Sequence, residues 1–357
     1  MPHAGSPWIV AVAGAAVLGA GAVLRGRPAA QAEATATTHA DTVTFPQRLS
    51  ETGLYGIDGR VDPRNRSFTP QYPLWTDGAT KQRWVRLPDG GKIDARDPDG
   101  WRFPAGTTFW KEFAWRGRKV ETRMIRMRAD GSPSYATYAW NAEGTDAMLV
   151  PADGIPRSYE ISRGKWHAIP AAADCRGCHE SGPSNILGFS ALQLSDDRDP
   201  LAPHAEPVTA SSLTLRTLVD EDRLQPAQPT LATHPPRIRA RNEIERAALG
   251  YLSSNCGTCH NTRGPLSRLG FSLRHDFPGV DRAHEPAIET AIGNAGRFAL
   301  PGDHSGSRLI EPGLPKASAV MHRMMSRRAA TQMPPIGTVI VDSAGAAVVR
   351  QWISRLH

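Results

Sequence analysis

The sequence predicts an α+β multi-domain protein in which an antiparallel β-rich domain is followed by an all-α domain. Three observations carry this. From Thr107 to Asn141, runs rich in β-branched and aromatic residues (TTFWKEFAW, KVETRMIRM, SYATYAWN) stand among the turn signals Pro88-Asp89-Gly90-Gly91, Asp97-Pro98-Asp99-Gly100 and Asp130-Gly131-Ser132-Pro133. From Asn242 onward the apolar residues recur at helical spacing instead. Between these textures, residues 196–239 are proline-rich and read as a linker, which sets the expected domains at 45–195 and 240–357.

Taken in chain order, residues 1–32 are different in kind. Trp8 to Leu24 is an uncharged run, followed by Arg25, Arg27 and then Ala30-Gln31-Ala32, the small-x-small form that signal peptidases cut. A cleaved signal peptide is expected, with an uncleaved membrane anchor as the alternative; either places the body outside the cytoplasm, in a periplasm. The formal charge of +7 comes almost wholly from arginine, scattered without a stripe or aromatic interleaving. Nucleic-acid binding therefore has little support, and a mildly basic surface suits acidic redox partners in the periplasm or at its membrane.

An exported protein normally spends cysteine on disulfides. Here the four cysteines fall entirely within two clusters, DCRGCHESGP at 174–183 and NCGTCHNTRGP from Asn255. Two thiols three positions apart lie on one turn and reach the two vinyl groups at a porphyrin edge, and the next residue then offers an imidazole to the iron. That assigns Cys175, Cys178 and His179 to one covalent haem c, and Cys256, Cys259 and His260 to a second. A four-cysteine zinc site would need the pairs to meet across 77 residues and would leave both histidines unexplained. A thiol-redox motif would need a βαβ setting that the sequence does not offer.

In the carboxy-terminal part, Asn242 and Glu245 form a capping-box pair ahead of an amphipathic stretch, NEIERAALGYL. Asp342 can cap a second helix with Val348, Val349, Trp352, Ile353 and Leu356 on one face. Between them TQMPPIGT places Met333 before consecutive prolines, which exclude helix and hold the thioether on an extended loop. Met333 is the expected second axial ligand of the second iron, with Met321, Met324 and Met325 as rivals and core filling as the plain alternative. This part resembles class I cytochrome c, and the resemblance implies an all-α cytochrome c domain with His260 and Met333 as axial ligands. His275, His284, His304 and His322 read as surface or turn residues.

In the amino-terminal part, FPAGTTFWKEF, the aromatic strand ending in Trp140-Asn141 and IPAAADCRGCH resemble the cytochrome P-460 family and its cytochrome c′-β relatives. The resemblance implies a β-rich haem domain whose iron lacks a protein sixth ligand and whose lysine, here matched by Lys111, is cross-linked to the porphyrin. Lys111 is thus the candidate catalytic residue, against the simpler reading of a solvent-facing strand lysine. His167, Met148, Met124 and Met127 are the candidates for closing the sixth position. Taken whole, LSETGLYG, PLWTDGATKQRW, FPAGT, TDAMLV, CRGCH and QMPP resemble a family of exported bacterial dihaem c-type cytochromes. The function expected is single-electron transfer; the alternative is a haem enzyme or gas sensor that meets hydroxylamine, nitric oxide or a similar small ligand at the first haem and exports electrons through the second.

Overall fold

Alternating apolar and polar side chains build a six-stranded antiparallel sheet from β1 (Arg66–Ser67), β2 (Thr80–Arg86), β4 (Thr108–Trp115), β5 (Arg118–Met127), β6 (Pro133–Trp140) and β7 (Ala147–Leu149), paired in that order. The computed structural model describes residues 44–277, 281–300, 302 and 307–357. The expected leader at 1–32 and His304 lie outside the described residues. Among those described, no helix is long and apolar enough to cross a membrane.

The β4–β5 hairpin turns on Arg116 and Gly117, both at positive φ (52° and 77°). Such a two-residue turn matches the strand twist, and the glycine carries the second left-handed position without steric cost. Cross-strand register then fixes the two faces of the sheet. Trp84, Trp110, Met124, Ala136 and Tyr138 pack under Leu49 and Leu54 of the amino-terminal segment. On the opposite face, Val85, Phe109 and Met127 meet Phe68, Phe103, Ile186 and Phe189. The proline-rich segment adds Leu213, Leu215 and Leu218 to that second core, partly through α2 (Leu215–Asp220). It also supplies β10 (Leu224–Gln225), which pairs in parallel with β3 (Ile93–Asp94). A hairpin of β8 (Ile155–Ser162) and β9 (Lys165–Ile169) leads into α1 (Ala172–His179).

The remaining helices are α3 (Thr230–Thr233), α4 (Glu243–Asn255), α5 (Pro286–Ala291), α6 (Ala319–Met325) and α7 (Ser343–Ile353). Asn242 and Asp342 cap α4 and α7 by accepting from Glu245 N–H (3.0 Å) and Gly345 N–H (2.9 Å). The expected fold class, a β-rich domain followed by an all-α cytochrome c domain, is corrected here. The six-stranded sheet is the dominant element, and helix (22 %) barely exceeds strand (21 %), so the second half is not an all-α domain. Isolated bridges pair Ile292 with Ile310 and Ala295 with Arg308 between α5 and α6.

The physical reason lies in α4. Eight consecutive residues, Glu245 to Leu252, are buried, so α4 is enclosed all round and no single face of it is wet. One side packs on α7. Another meets the amino-terminal half: a Cβ at Gly250 would sit 2.1 Å from the Tyr72 ring, a contact only glycine permits. Tyr72 and Leu192 belong to the same core cluster as Leu249, Leu252, Trp352 and Ile353. Buried Arg246 donates to Asp197 Oδ1 (3.0 Å), and Asn255 Oδ1 accepts from Trp75 N–H (2.7 Å). Val43–His357 accordingly forms one compact unit.

Candidate functional site

The first CxxCH is helical. Asp174 Oδ2 accepts from Ala171 N–H (3.0 Å) and closes the first turn of α1, after which Cys175 and Cys178, three residues apart, share one face. No residue of α1 is fully buried, whereas β5 and β6 in front of it are well covered. His179 ends the helix. Its Nδ1 lies 2.7 Å from the Asn185 carbonyl, which can only accept, so Nδ1 carries the proton and Nε2 keeps its lone pair. The ring sits 5.6 Å from that of Tyr135. Burial pushes its pKa down to about 4, helped by the charges of Lys111 and Arg123, so the imidazole stays in its neutral, metal-binding form.

The second CxxCH follows α4 directly as a turn in which Cys259 and His260 N–H donate to the Cys256 carbonyl (3.1 and 2.9 Å). Gly257 is enclosed: a Cβ there would lie 2.5 Å from the Ser253 carbonyl oxygen and 2.7 Å from Arg274 Cα. His260 stacks on Phe271 with ring centroids 4.7 Å apart, and its Nδ1 is buried with no hydrogen-bond partner. Burial, then Arg323, lowers its pKa to about 4. Burial pushes the Cys256 thiol up to about 12.

The two motifs meet. Asn261, next to His260, donates from Nδ2 to the carbonyl of Ser181, two residues beyond His179 (3.0 Å), and it also holds the Gly264 N–H (2.8 Å). A Cβ at Gly264 would lie 2.4 Å from the Ser181 carbonyl oxygen. The Cys259 thiol is raised by burial and then by Cys178. Proximity does not make a metal cluster, because among the described residues no three His, Cys, Asp or Glu side chains are gathered to hold an ion. The donor set of each motif fits a covalent haem instead. All four cysteines are free thiols, each pair sits on one turn, and each histidine keeps a ring nitrogen without a protein partner. No protein-family model, curated protein or solved structure matches this chain.

The other sequence candidates are placed as follows. Met333 N–H donates to the Arg323 carbonyl (3.0 Å), and Arg323 is the residue whose charge bears on His260, so loop and histidine share a neighbour. Met321 and Met324 are buried in the helical core, and Met325 is exposed beside Arg350. Around the first motif, Met124 lies on the sheet face turned away from α1, Met148 is exposed on the edge strand β7, and Met127 fills the second core. His167 is buried with Nε2 3.0 Å from Glu121 Oε1. His275 is buried rather than superficial, its Nδ1 2.7 Å from Glu285 Oε2. His284 is exposed on Asp281, and His322 is half-buried beside Phe298.

Lys111 pairs across the strands with Arg83 and Arg123, and Arg123 pairs with Thr137 two residues from Tyr135, so Lys111 lies on the face that meets α1 and His179. Burial, with Arg83, Lys81 and Arg123 behind it, holds its pKa well below the usual lysine range. Glu121, Arg123, Lys81 and Arg83 were not singled out by the sequence reading. Their signal was present as charges in the inward frame of apolar strands, for example Lys111 between Phe109 and Phe113.

Proposed function

We propose that this chain is an exported dihaem c-type cytochrome that carries single electrons between redox partners outside the cytoplasm. The observation that carries the reading is the contact between two complete CxxCH motifs through Asn261 and Ser181. When bound, each haem would supply one-electron chemistry at its iron. Cys175 and Cys178 on α1, and Cys256 and Cys259 on the turn after α4, would hold one haem each through thioether bonds. His179 and His260 stay neutral and offer a ring nitrogen. Asn261 and Gly264 hold the two motif segments against each other.

The test is the mass of the chain matured in a periplasm, which is expected to exceed the polypeptide mass by two haems; the unmodified mass would refute the reading. Met333 is assigned to the second iron. Met333→Ala is expected to lose the long-wavelength sulfur-to-iron band and to lower that centre's potential, and an unchanged band would move the ligand to Met321, Met324 or Met325.

A second reading is favoured by one specific observation: Met124 lies on the far face of the sheet, Met127 is packed in the second core, His167 is held by Glu121, and Met148 sits exposed out on the edge strand β7. The first haem would then keep an open position for nitric oxide, hydroxylamine or a similar small ligand. A shift of the reduced spectrum on adding nitric oxide supports this, and an unchanged spectrum leaves electron transfer alone.

A further inference from the structure

Four cations occupy neighbouring register positions on the sheet face that meets α1. Arg83 of β2 lies opposite Lys111 of β4, Lys111 lies opposite Arg123 of β5, and Lys81 sits two residues from Arg83 in the same frame. The facing carboxylates do not match them in number or position. Glu206 Oε2 takes Arg83 Nη1 (2.5 Å), and Glu121 Oε1 takes both Arg123 Nη2 (2.5 Å) and His167 Nε2 (3.0 Å). Lys81 Nζ donates to the Leu74 carbonyl (3.0 Å), and the charges of Glu206 and then Asp342 also reach it. Two donors are left. Arg83 Nη2 is buried with no partner, and Arg83 as a whole is 5 % exposed. Lys111 Nζ makes no hydrogen bond among the described residues and rests on the Phe113 ring, 4.9 Å from its centroid.

A buried donor left without an acceptor, as at Arg83 Nη2, is costly, and like charges crowded beside it, half-buried Lys111 among them, cost more. We propose that Lys111 Nζ and Arg83 Nη2 form an anion site on the sheet face beside Cys178 and His179, built for a small oxyanion or a carboxylate. An anion there would satisfy both donors with charge-assisted hydrogen bonds and offset the repulsion among the four cations. Burial and that same repulsion are what depress Lys111, and its charge and that of Arg123 reach both Cys178 and His179. Two sources carry this chemistry: the carboxylates of a haem joined to Cys175 and Cys178, and a free oxyanion. Only the first source rests on the function proposed above.

Titration calorimetry of the full-length holoprotein with nitrite and with phosphate tests the site, alongside a Cys175→Ser/Cys178→Ser chain. If a free oxyanion is the ligand, the holoprotein binds a probe, Lys111→Gln and Arg83→Gln each weaken binding about tenfold or more, and the control Lys92→Gln leaves it unchanged. If haem carboxylates are the ligand, only the chain without the first attachment binds, and Lys111→Gln abolishes that binding. No binding to either chain, or binding indifferent to Lys111→Gln, overturns the proposal. Lys111→Gln breaks no hydrogen bond of the described structure, so it decides the matter even if Arg83→Gln, which loses Glu206, fails to fold. The mass of the holoprotein is read separately, so a chain without haem would refute the proposed function while leaving the titration interpretable.

Discussion

A chain carrying Cys256→Ala and Cys259→Ala is expected to mature with one haem in place of two, and the converse pair, Cys175→Ala with Cys178→Ala, likewise. Haem stoichiometry by mass and by absorbance checks both. The two variants are expected to differ in stability, because the motifs are set differently in the fold. Cys256 packs against the core shared by α4, α7 and Tyr72, and its neighbour Gly257 has no free space around it. The first pair sits on α1, where no residue is fully buried. The Cys256/Cys259 variant should therefore show the larger fall in thermal midpoint, and equal falls would contradict this account of the packing. Electron exchange between the remaining first haem and an external acceptor should also slow in that variant, since the route through the Asn261–Ser181 contact ends at a missing centre.

That contact changes what the sequence implied about the arrangement of the motifs. Separation by 77 residues argued against the two clusters meeting, and a change of texture near residue 196 suggested a domain boundary between them. In the structure the clusters touch and the boundary is not a gap. The helices α4 and α7, their caps at Asn242 and Asp342, and the strands built from TTFWKEFAW, KVETRMIRM and SYATYAWN were legible, because each rests on local periodicity and local hydrogen bonds. The shared core was not legible. Periodicity finds the wettest face of a helix, and α4 has no wet face over Glu245 to Leu252. The only local trace of the tertiary contact was Gly250, a poor helix former kept where the Tyr72 ring leaves no room for a Cβ.

The candidate site divides in the same way. Both CxxCH motifs were legible because each is a fixed local spacing of residue types. The second-layer residues were not, because each is brought to the site from a different strand. Lys111 was reached through a resemblance rather than through its surroundings, and Arg83, Arg123 and Glu121 became visible only once strand register placed them beside it. The proline-rich segment read as a linker, yet it sends Glu206 to Arg83 and several leucines into the sheet core. Proline marks a chain that cannot form regular structure, which is not the same as a chain that stays outside.

Glu121→Ala is expected to destabilise the fold by about 3–5 kcal/mol, the range for removing one partner of a buried ion pair. Glu121 is fully buried, and its Oε1 alone holds Arg123 and His167, so truncation strands the half-buried Arg123 guanidinium and the buried His167 imidazole together. That loss is a large share of a stability of roughly 5–15 kcal/mol, so urea unfolding at neutral pH will read it directly. The pH dependence has a definite sign. Burial by itself would push the Glu121 carboxyl up, but Arg123 and then His167 outweigh it and hold the pKa below the usual 4.5. A carboxylate depressed in the native state contributes stability that is present above 4.5 and lost as pH falls through the native value. Glu121→Gln keeps an acceptor for Arg123 but has nothing to titrate, so its deficit against the unaltered protein should be largest near pH 7 and shrink on acidification below 4.5. A deficit that stays constant from neutral to acid pH would show that Glu121 acts through packing alone, and a loss in Glu121→Ala under about 1 kcal/mol would place the carboxylate in solvent rather than in the buried pair behind Cys175.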